Sequence, residues 1–272
     1  MIRSLYAGVS GIRTHQMRMD TVASNIANVN TTGYKGGRAN FQEVLAQMVG
    51  RTSISSTQVG LGVGLAAIDS MFTQGALQAT GRSLDLAIEG NGFFVVKPVD
   101  SSGSTIDNPM YTRDGTFYID KDGYLVTTQG YRVQTAEGSD LQFTTISPDQ
   151  IATVSISTDG VMTATASDGT TETFTIGIVT LSNVESLQRM GNNLWDITPG
   201  VTAWSGGGDN PSPGQPGTEG RGIVRSGVLE MSNVDLAQEF TSMITTERGY
   251  QANARVITTS DEMLRELIDL KR

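Results

Sequence analysis

The sequence predicts an α+β protein: long N- and C-terminal helices forming a coiled-coil domain, with a β-rich central domain between them. Three observations carry this. Leu5, Val9, Ile12, Gln16, Met19, Ala23 and Ile26 recur at alternating spacings of four and three, the period of a helical seam rather than of a strand. Leu236, Phe240, Met243, Glu247, Tyr250, Ala254, Ile257, Asp261, Leu264 and Ile268 repeat that period near the other end. Between them, Asn91-Gly92, Asp114-Gly115, Asp122-Gly123, Asp159-Gly160 and Asp168-Gly169 lie among β-formers, the strongest short hairpin signals.

The first helix spans about residues 2–30, roughly 40 Å at 1.5 Å per residue. Asn25 and Asn28 sit beside its seam and can hydrogen-bond a partner helix. Thr32-Gly33 stops it. Gly33 supplies a left-handed C-cap, with Tyr34 packing back on Val29. Residues 36–81 form an extended connector in which Phe41 to Met48 forms a short helix and Ser53 to Gly64 is loop or extended chain.

Residues 82–231 form the β-rich domain, with strands over 82–145 and 175–228 and a hairpin within or beside them at 146–174. The run 206–220 is rich in Gly and Pro and reads as a mobile surface loop. The last helix spans about 233–270, near 57 Å at the same rise. Ser232 begins it as N-cap, with Asp235 three residues on. Residues 1–35 and 232–272 together make the terminal coiled-coil domain.

Composition narrows the function. Charged residues make up 17% and hydrophobic residues 38% of the chain, a globular balance. A net charge of -9 argues against a nucleic-acid surface, which needs clustered Lys and Arg. Residues 1–35 hold Arg3, Arg13, Arg18 and Lys35 against Asp20, whereas 233–272 hold seven acids and five bases. The two ends are therefore mildly complementary. The absence of cysteine removes disulfides and thiolate metal sites. No signal peptide is visible, and no run approaches the ~20 apolar residues of a membrane span.

No catalytic set emerges. His15 is the one histidine, and it falls inside the first helix, where it reads as a helix-surface residue. Gly8-Val9-Ser10-Gly11 misses the nucleophile-elbow spacing by one. Tyr118 to Gly123 resembles part of a calcium loop, but Tyr118 and Gln129 fall where carboxylates are required. A hairpin turn explains Asp122-Gly123 without a metal. The glycine-rich runs at 60–64 and 90–92 do not open helices as phosphate loops do. No metal or cofactor is expected.

Ser24 to Lys35 resembles the N-terminal signature of the bacterial flagellar hook and rod axial proteins. Gly227 to Asp235, Glu247 to Asn253 and Thr258 to Leu264 resemble their C-terminal signature. Asp85 to Phe94 and Tyr111 to Phe117 match between them. The resemblance implies a non-enzymatic subunit of a helical tube that passes torque from motor to filament. It implies as partners copies of the same chain, neighbouring rod, hook and hook-cap proteins, and the flagellar type III export apparatus, which uses no cleaved leader. No nucleic acid and no membrane insertion are implied. Localisation would be the hook or the basal body.

The self-assembly interface would comprise Leu5, Val9, Ile12, Met19, Asn25, Ile26, Asn28, Leu236, Phe240, Met243, Tyr250, Ala254, Ile257, Leu264 and Ile268. Such spacing ordinarily marks a private core; the terminal position of the helices and a β region able to fold without them favour an interface. Distal-rod members tend to hold an inserted, extended segment where residues 35–81 lie, and that run looks too short for one. This and the ending Asp-Leu-Lys-Arg favour the hook protein over a distal rod subunit. A secreted coiled-coil adhesin or binding module is the rival from another class, and an enzyme with a cleft around Asp114, Asp120 and Asp122 is the more distant one.

Overall fold

The computed structural model describes residues 2–44, 46–51, 56–100, 103–106, 108–197 and 212–270. It is α+β, with a helix at each end of the chain and strands between. The chain divides into two compact units. No described helix is long and apolar enough to cross a membrane.

The first unit takes Met1–Val29, Lys35–Met71 and Val234–Arg272. It contains α1 (Ile2–Ala27), the strands β1 (Gly37–Glu43), β2 (Ala46–Arg51), β3 (Ser56–Gly60) and β4 (Val63–Ser70), and, at the end of the chain, a second long helix, Leu236–Asp269. β1 pairs antiparallel with β4, and β2 with β3. In place of the helix expected over Phe41 to Met48, residues 41–43 and 46–48 are strand. β1 with β4 and β2 with β3 make two separate two-stranded sheets. β4 begins against α1, where Ser10 Oγ accepts from Val63 N at 3.3 Å.

The second unit takes Asn30–Tyr34 and Phe72–Asn233. Its strands are β5 (Leu77–Ala79), β6 (Leu86–Glu89), β7 (Phe93–Lys97), β8 (Met110–Thr112), β9 (Phe117–Ile119), β10 (Leu125–Thr127), β11 (Arg132–Val133), β12 (Ile151–Ile156), β13 (Val161–Ala166), β14 (Thr171–Thr175), β15 (Ile178–Val179), β16 (Leu187–Gly191), β17 (Leu194–Ile197), β18 (Ile223–Ser226) and β19 (Val228–Glu230). The helix that ends the chain is α2.

The main sheet runs β16-β17-β8-β7-β11-β10-β9, with β15 also on β7. Its centre is buried on both faces. Phe94 and Val96 of β7 enter one core with Leu86, Phe117, Leu125 and Ile178, while Phe93 and Val95 enter a second with Tyr111, Val179 and Trp195. Alternation by two within an all-apolar run is what a strand covered on both sides requires.

Residues 146–174 hold more than the single expected hairpin. β12, β13 and β14 form a three-stranded sheet, and Met162, Ala164 and Ala166 of β13 join the first core. Asp122-Gly123, Asp159-Gly160 and Asp168-Gly169 turn hairpins, joining β9 to β10, β12 to β13 and β13 to β14. Asn91-Gly92 and Asp114-Gly115 do not. The strands flanking each are not paired with one another: β6 pairs with β18, and β9 with β10.

Of the run 206–220, residues 206–211 lie outside the described residues. The rest is tied into the second unit: Gly214 exchanges both backbone hydrogen bonds with Ile178, and Pro216 is buried.

Candidate assembly surface

α1 and α2 pack antiparallel. Ser4 meets Ser260 (3.4 Å between hydroxyls), and a Cβ on Gly8 would lie 3.1 Å from Ile257. A Cβ on Gly11 would meet the Asn253 side chain at 2.8 Å, and one on Gly249 the His15 ring at 2.6 Å. Asn25 Nδ2 donates to Glu239 Oε1 at 3.1 Å. As the α1 number climbs from 4 to 25 the α2 partner falls from 260 to 239, residue for residue.

The contact face is small and polar. Apart from Asn25, its buried hydroxyl and amide groups donate within their own helices, which removes most of the cost of burying them. Thr14 Oγ1 donates to Ser10 O, Thr246 Oγ1 to Ser242 O, Ser260 Oγ to Val256 O and Asn253 Nδ2 to Gly249 O. Thr14, Val22, Asn25, Thr246 and Ser260 are the buried side chains of this pair.

The expected apolar seam lies one residue further round on both helices. Gly8, Gly11, His15 and Asn25 make the contact, where Val9, Ile12, Gln16 and Ile26 were expected. Gly249, Asn253 and Ser260 do so where Tyr250, Ala254 and Asp261 were expected. One residue is about 100° around a helix of 3.6 residues per turn. Val9, Leu236, Phe240, Tyr250 and Ile268 are consequently exposed, Phe240 by 50% and Ile268 by 66%. Leu5, Ile12, Met19, Ile26, Asn28, Met243, Ala254, Ile257 and Leu264 are half-buried. Of the fifteen expected interface residues, Asn25 alone is buried. It also clasps β1, exchanging hydrogen bonds with Gly37 (2.8 and 2.9 Å). Asn28 Nδ2 turns back on Ser24 O.

His15 corrects the expectation of a helix-surface residue. It stands edge-on to Phe41 at 5.9 Å and beneath Gly249, and its Nδ1 is buried without a hydrogen-bond partner. Burial, with the Arg18 charge beside it, holds its pKa below 6.5.

The helix ends also differ from expectation. α1 stops at Ala27. Gly33 does take φ +67°, but its missing Cβ serves a close approach, since one would lie 2.6 Å from Asp114 N. Tyr34 is buried under the Arg189 guanidinium at 4.9 Å. Asp235, not Ser232, caps α2, its Oδ1 accepting from Ala237 N (2.8 Å) and Gln238 N (3.4 Å). A carboxylate accepts both orphan N–H groups and favours the positive helix end, which a hydroxyl three residues earlier cannot reach.

Within the second unit the stretches that carry the resemblance meet in one buried polar cluster. Arg113 Nη1 pairs with Glu230 Oε2 at 3.2 Å, with both side chains shielded from solvent. Arg113 Nη2 donates to Gly90 O, and Glu230 Oε1 accepts from Gly75 N. Gly33 N donates to Glu230 O at 2.8 Å, and Thr32 Oγ1 to Asp114 Oδ1 at 3.0 Å. Burial raises the Asp114 pKa, against the lowering effect of bonds from Thr116 and Thr32. Asp114 is thus committed to structure, and Asp120 and Asp122 are exposed in the β9–β10 turn; the three do not form a cleft.

Known families match along the same stretches. The flagella basal body rod protein family matches residues 5–35, the flagellar hook protein FlgE/F/G D1 domain 87–164, and the flagellar basal body rod FlgEFG protein C-terminal domain 225–270. The chain is 41% identical over 283 residues to the flagellar basal-body rod protein FlgG of Bacillus subtilis (strain 168), covering the whole of both chains. The chain belongs to the flagellar hook and basal-body rod protein family.

This flagellar family is structural, and the chain is a flagellar component. It is 37% identical over 286 residues to the basal-body rod protein FlgG of Borreliella burgdorferi, again covering both chains in full. Against the flagellar hook protein FlgE of the same organism it is 28% identical, and the alignment stretches to 448 residues. The rod relatives therefore align with few gaps, while the hook relative carries long insertions. These likenesses fit the rod alternative better than the hook.

Proposed function

We propose that the chain is a distal-rod subunit of the flagellar basal body, polymerising with its own copies into a stiff tube that carries torque towards the hook and filament. The observation that supports it most is the full-length, nearly gap-free likeness to flagellar basal-body rod proteins. The helix pair supplies the means. Its internal contact uses small polar residues, leaving Leu236, Phe240, Tyr250 and Ile268 exposed for neighbouring subunits. In the polymer these helices wind as a coiled-coil layer, with neighbouring rod and hook proteins at the two ends of the stack. Subunits leave the cell through the flagellar type III apparatus.

A linear polymer lacking one segment cannot carry what lies beyond it. Deletion of the gene should leave cells whose basal bodies bear neither hook nor filament under the electron microscope, with the plasmid-borne chain restoring both. Normal hooks on the deletion strain would contradict the rod assignment.

A further inference from the structure

α1 and α2 each carry two stripes at one spacing. The stripes that meet run through Ser4, Gly8, Gly11, His15 and Asn25 on α1 and through Glu239, Gly249, Asn253 and Ser260 on α2. One residue further round lie the apolar stripes, with Val9, Ile12 and Ile26 on α1 and Phe240, Ala254 and Ile257 on α2. Removing apolar surface from water is what ordinarily brings two helices together. Hydrophobicity alone would therefore roll the pair onto the second stripes. The structure buries the first and leaves Val9 and Phe240 exposed, so another interaction selects the face.

Asn25 has the bonds to do so. It is 1% exposed. Its Nδ2 donates to Gly37 O at 2.8 Å and to Glu239 Oε1 at 3.1 Å, and its Oδ1 accepts from Gly37 N at 2.9 Å. One amide thus closes a reciprocal pair with the main chain where β1 begins, and the same group reaches α2. All three elements belong to the first unit. Ser10 Oγ, which accepts from Val63 N, helps to hold α1 on β4, but that bond does not reach α2. Thr14, Thr246 and Ser260 donate within their own helices and would keep those bonds in any rotation. A roll of one residue, about 100°, swings Asn25 away from both of its partners. A single buried asparagine at a helix contact is known to specify how helices pair, at some cost in stability.

We propose that Asn25 is a positioning residue: its bonds hold α1 and α2 on their polar faces and so keep the apolar stripes turned out for other copies of the chain. Without it the two helices cover their apolar stripes on each other, within one chain, and offer nothing to a neighbour. The inference rests on the polymer reading above for what the outward stripes meet; the choice of face belongs to the single chain.

The absence of cysteine makes that choice readable as a disulfide. Ser4→Cys/Ser260→Cys reports the polar faces together, and Ile12→Cys/Ala254→Cys the apolar ones. Each pair is placed in the purified full chain with and without Asn25→Leu, oxidised, and run on non-reducing gels for the faster, internally linked band. With Asn25 in place the first pair should close and the second should not. With Asn25→Leu the second should close and the first should lose its band; any other pattern overturns the proposal. Asn25→Leu cells should not swim, although the purified variant keeps its helix content by circular dichroism, a combination that simple loss of structure does not give. Swimming cells whose variant chain has changed face overturn the proposal too, because outward stripes would then be dispensable. If Asn25→Leu loses its helix content, Glu239→Leu breaks the same bond from α2 and carries the same two readings, and no change of face there overturns the proposal. A wild-type chain absent from isolated basal bodies fails the polymer reading instead and leaves the disulfide result standing.

Discussion

Arg113 and Glu230 show how one buried pair can set a fold's tolerance. Burial lowers the Arg113 pKa, opposed by the Glu230 charge and its hydrogen bond. Removing one partner leaves the other charged and dry, a loss of roughly 3–5 kcal/mol. Arg113→Ala should therefore lower the unfolding free energy from urea titration by that amount, while Glu230→Gln, which still accepts from Gly75, should cost less. Equal losses would show that the charge is not what matters. Gly115 makes a sharper case. A Cβ there would sit 1.6 Å from Leu86 O, whereas Gly81 has nothing within 4 Å. Gly115→Ala should cost over ~3 kcal/mol through displaced backbone. Gly81→Ala at φ +74° should cost about 1–2 kcal/mol through left-handed strain alone. Thermal unfolding separates the two. At Gly115 the sequence signalled a special backbone position but not its cause, since Asp-Gly reports turn propensity and not which strand passes nearby.

Among elements, both long helices were legible in their period, but the face they bury was not. Hydrophobicity points to Val9 and Phe240, while the contact follows small residues such as Gly8, Gly11, Gly249 and Ser260. A second stripe at the same spacing was the available signal. The segment at 41–48 misled for the opposite reason. Phe41, Val44, Leu45 and Met48 carry helical spacing, but pairing of β1 with β4 and of β2 with β3 overrides so short a local preference. His15 gives the helix pair a pH dependence. Its folded pKa lies below 6.5, so separated helices take up the proton more readily. The packing is fully stable above 6.5 and weakens as pH falls through the depressed value. Limited proteolysis of α1 and α2 should therefore quicken below pH 6.5 in the wild type more than in His15→Gln. Identical pH profiles would rule out His15 as the cause.

For the whole molecule, an α+β protein with a helix at each end and a β-rich body was readable from texture alone, and the flagellar family from its signature stretches. The choice between hook and rod was not, because it turns on likeness along the full length of rod relatives rather than on any one stretch. If the seam joins subunits, placing a carboxylate there costs several kcal/mol chiefly after assembly. Ile26→Asp, Phe240→Asp or Leu264→Asp should leave the second unit's thermal transition unchanged and abolish motility. Swimming cells would exclude the seam as an interface.

Immunoelectron microscopy of flagella released from the stripped envelope, with an antibody to the second unit, tests the central claim most directly. Label on the straight rod below the hook is the predicted result. Label confined to the curved hook would contradict the distal-rod assignment, and flagella without label anywhere would contradict an axial role altogether.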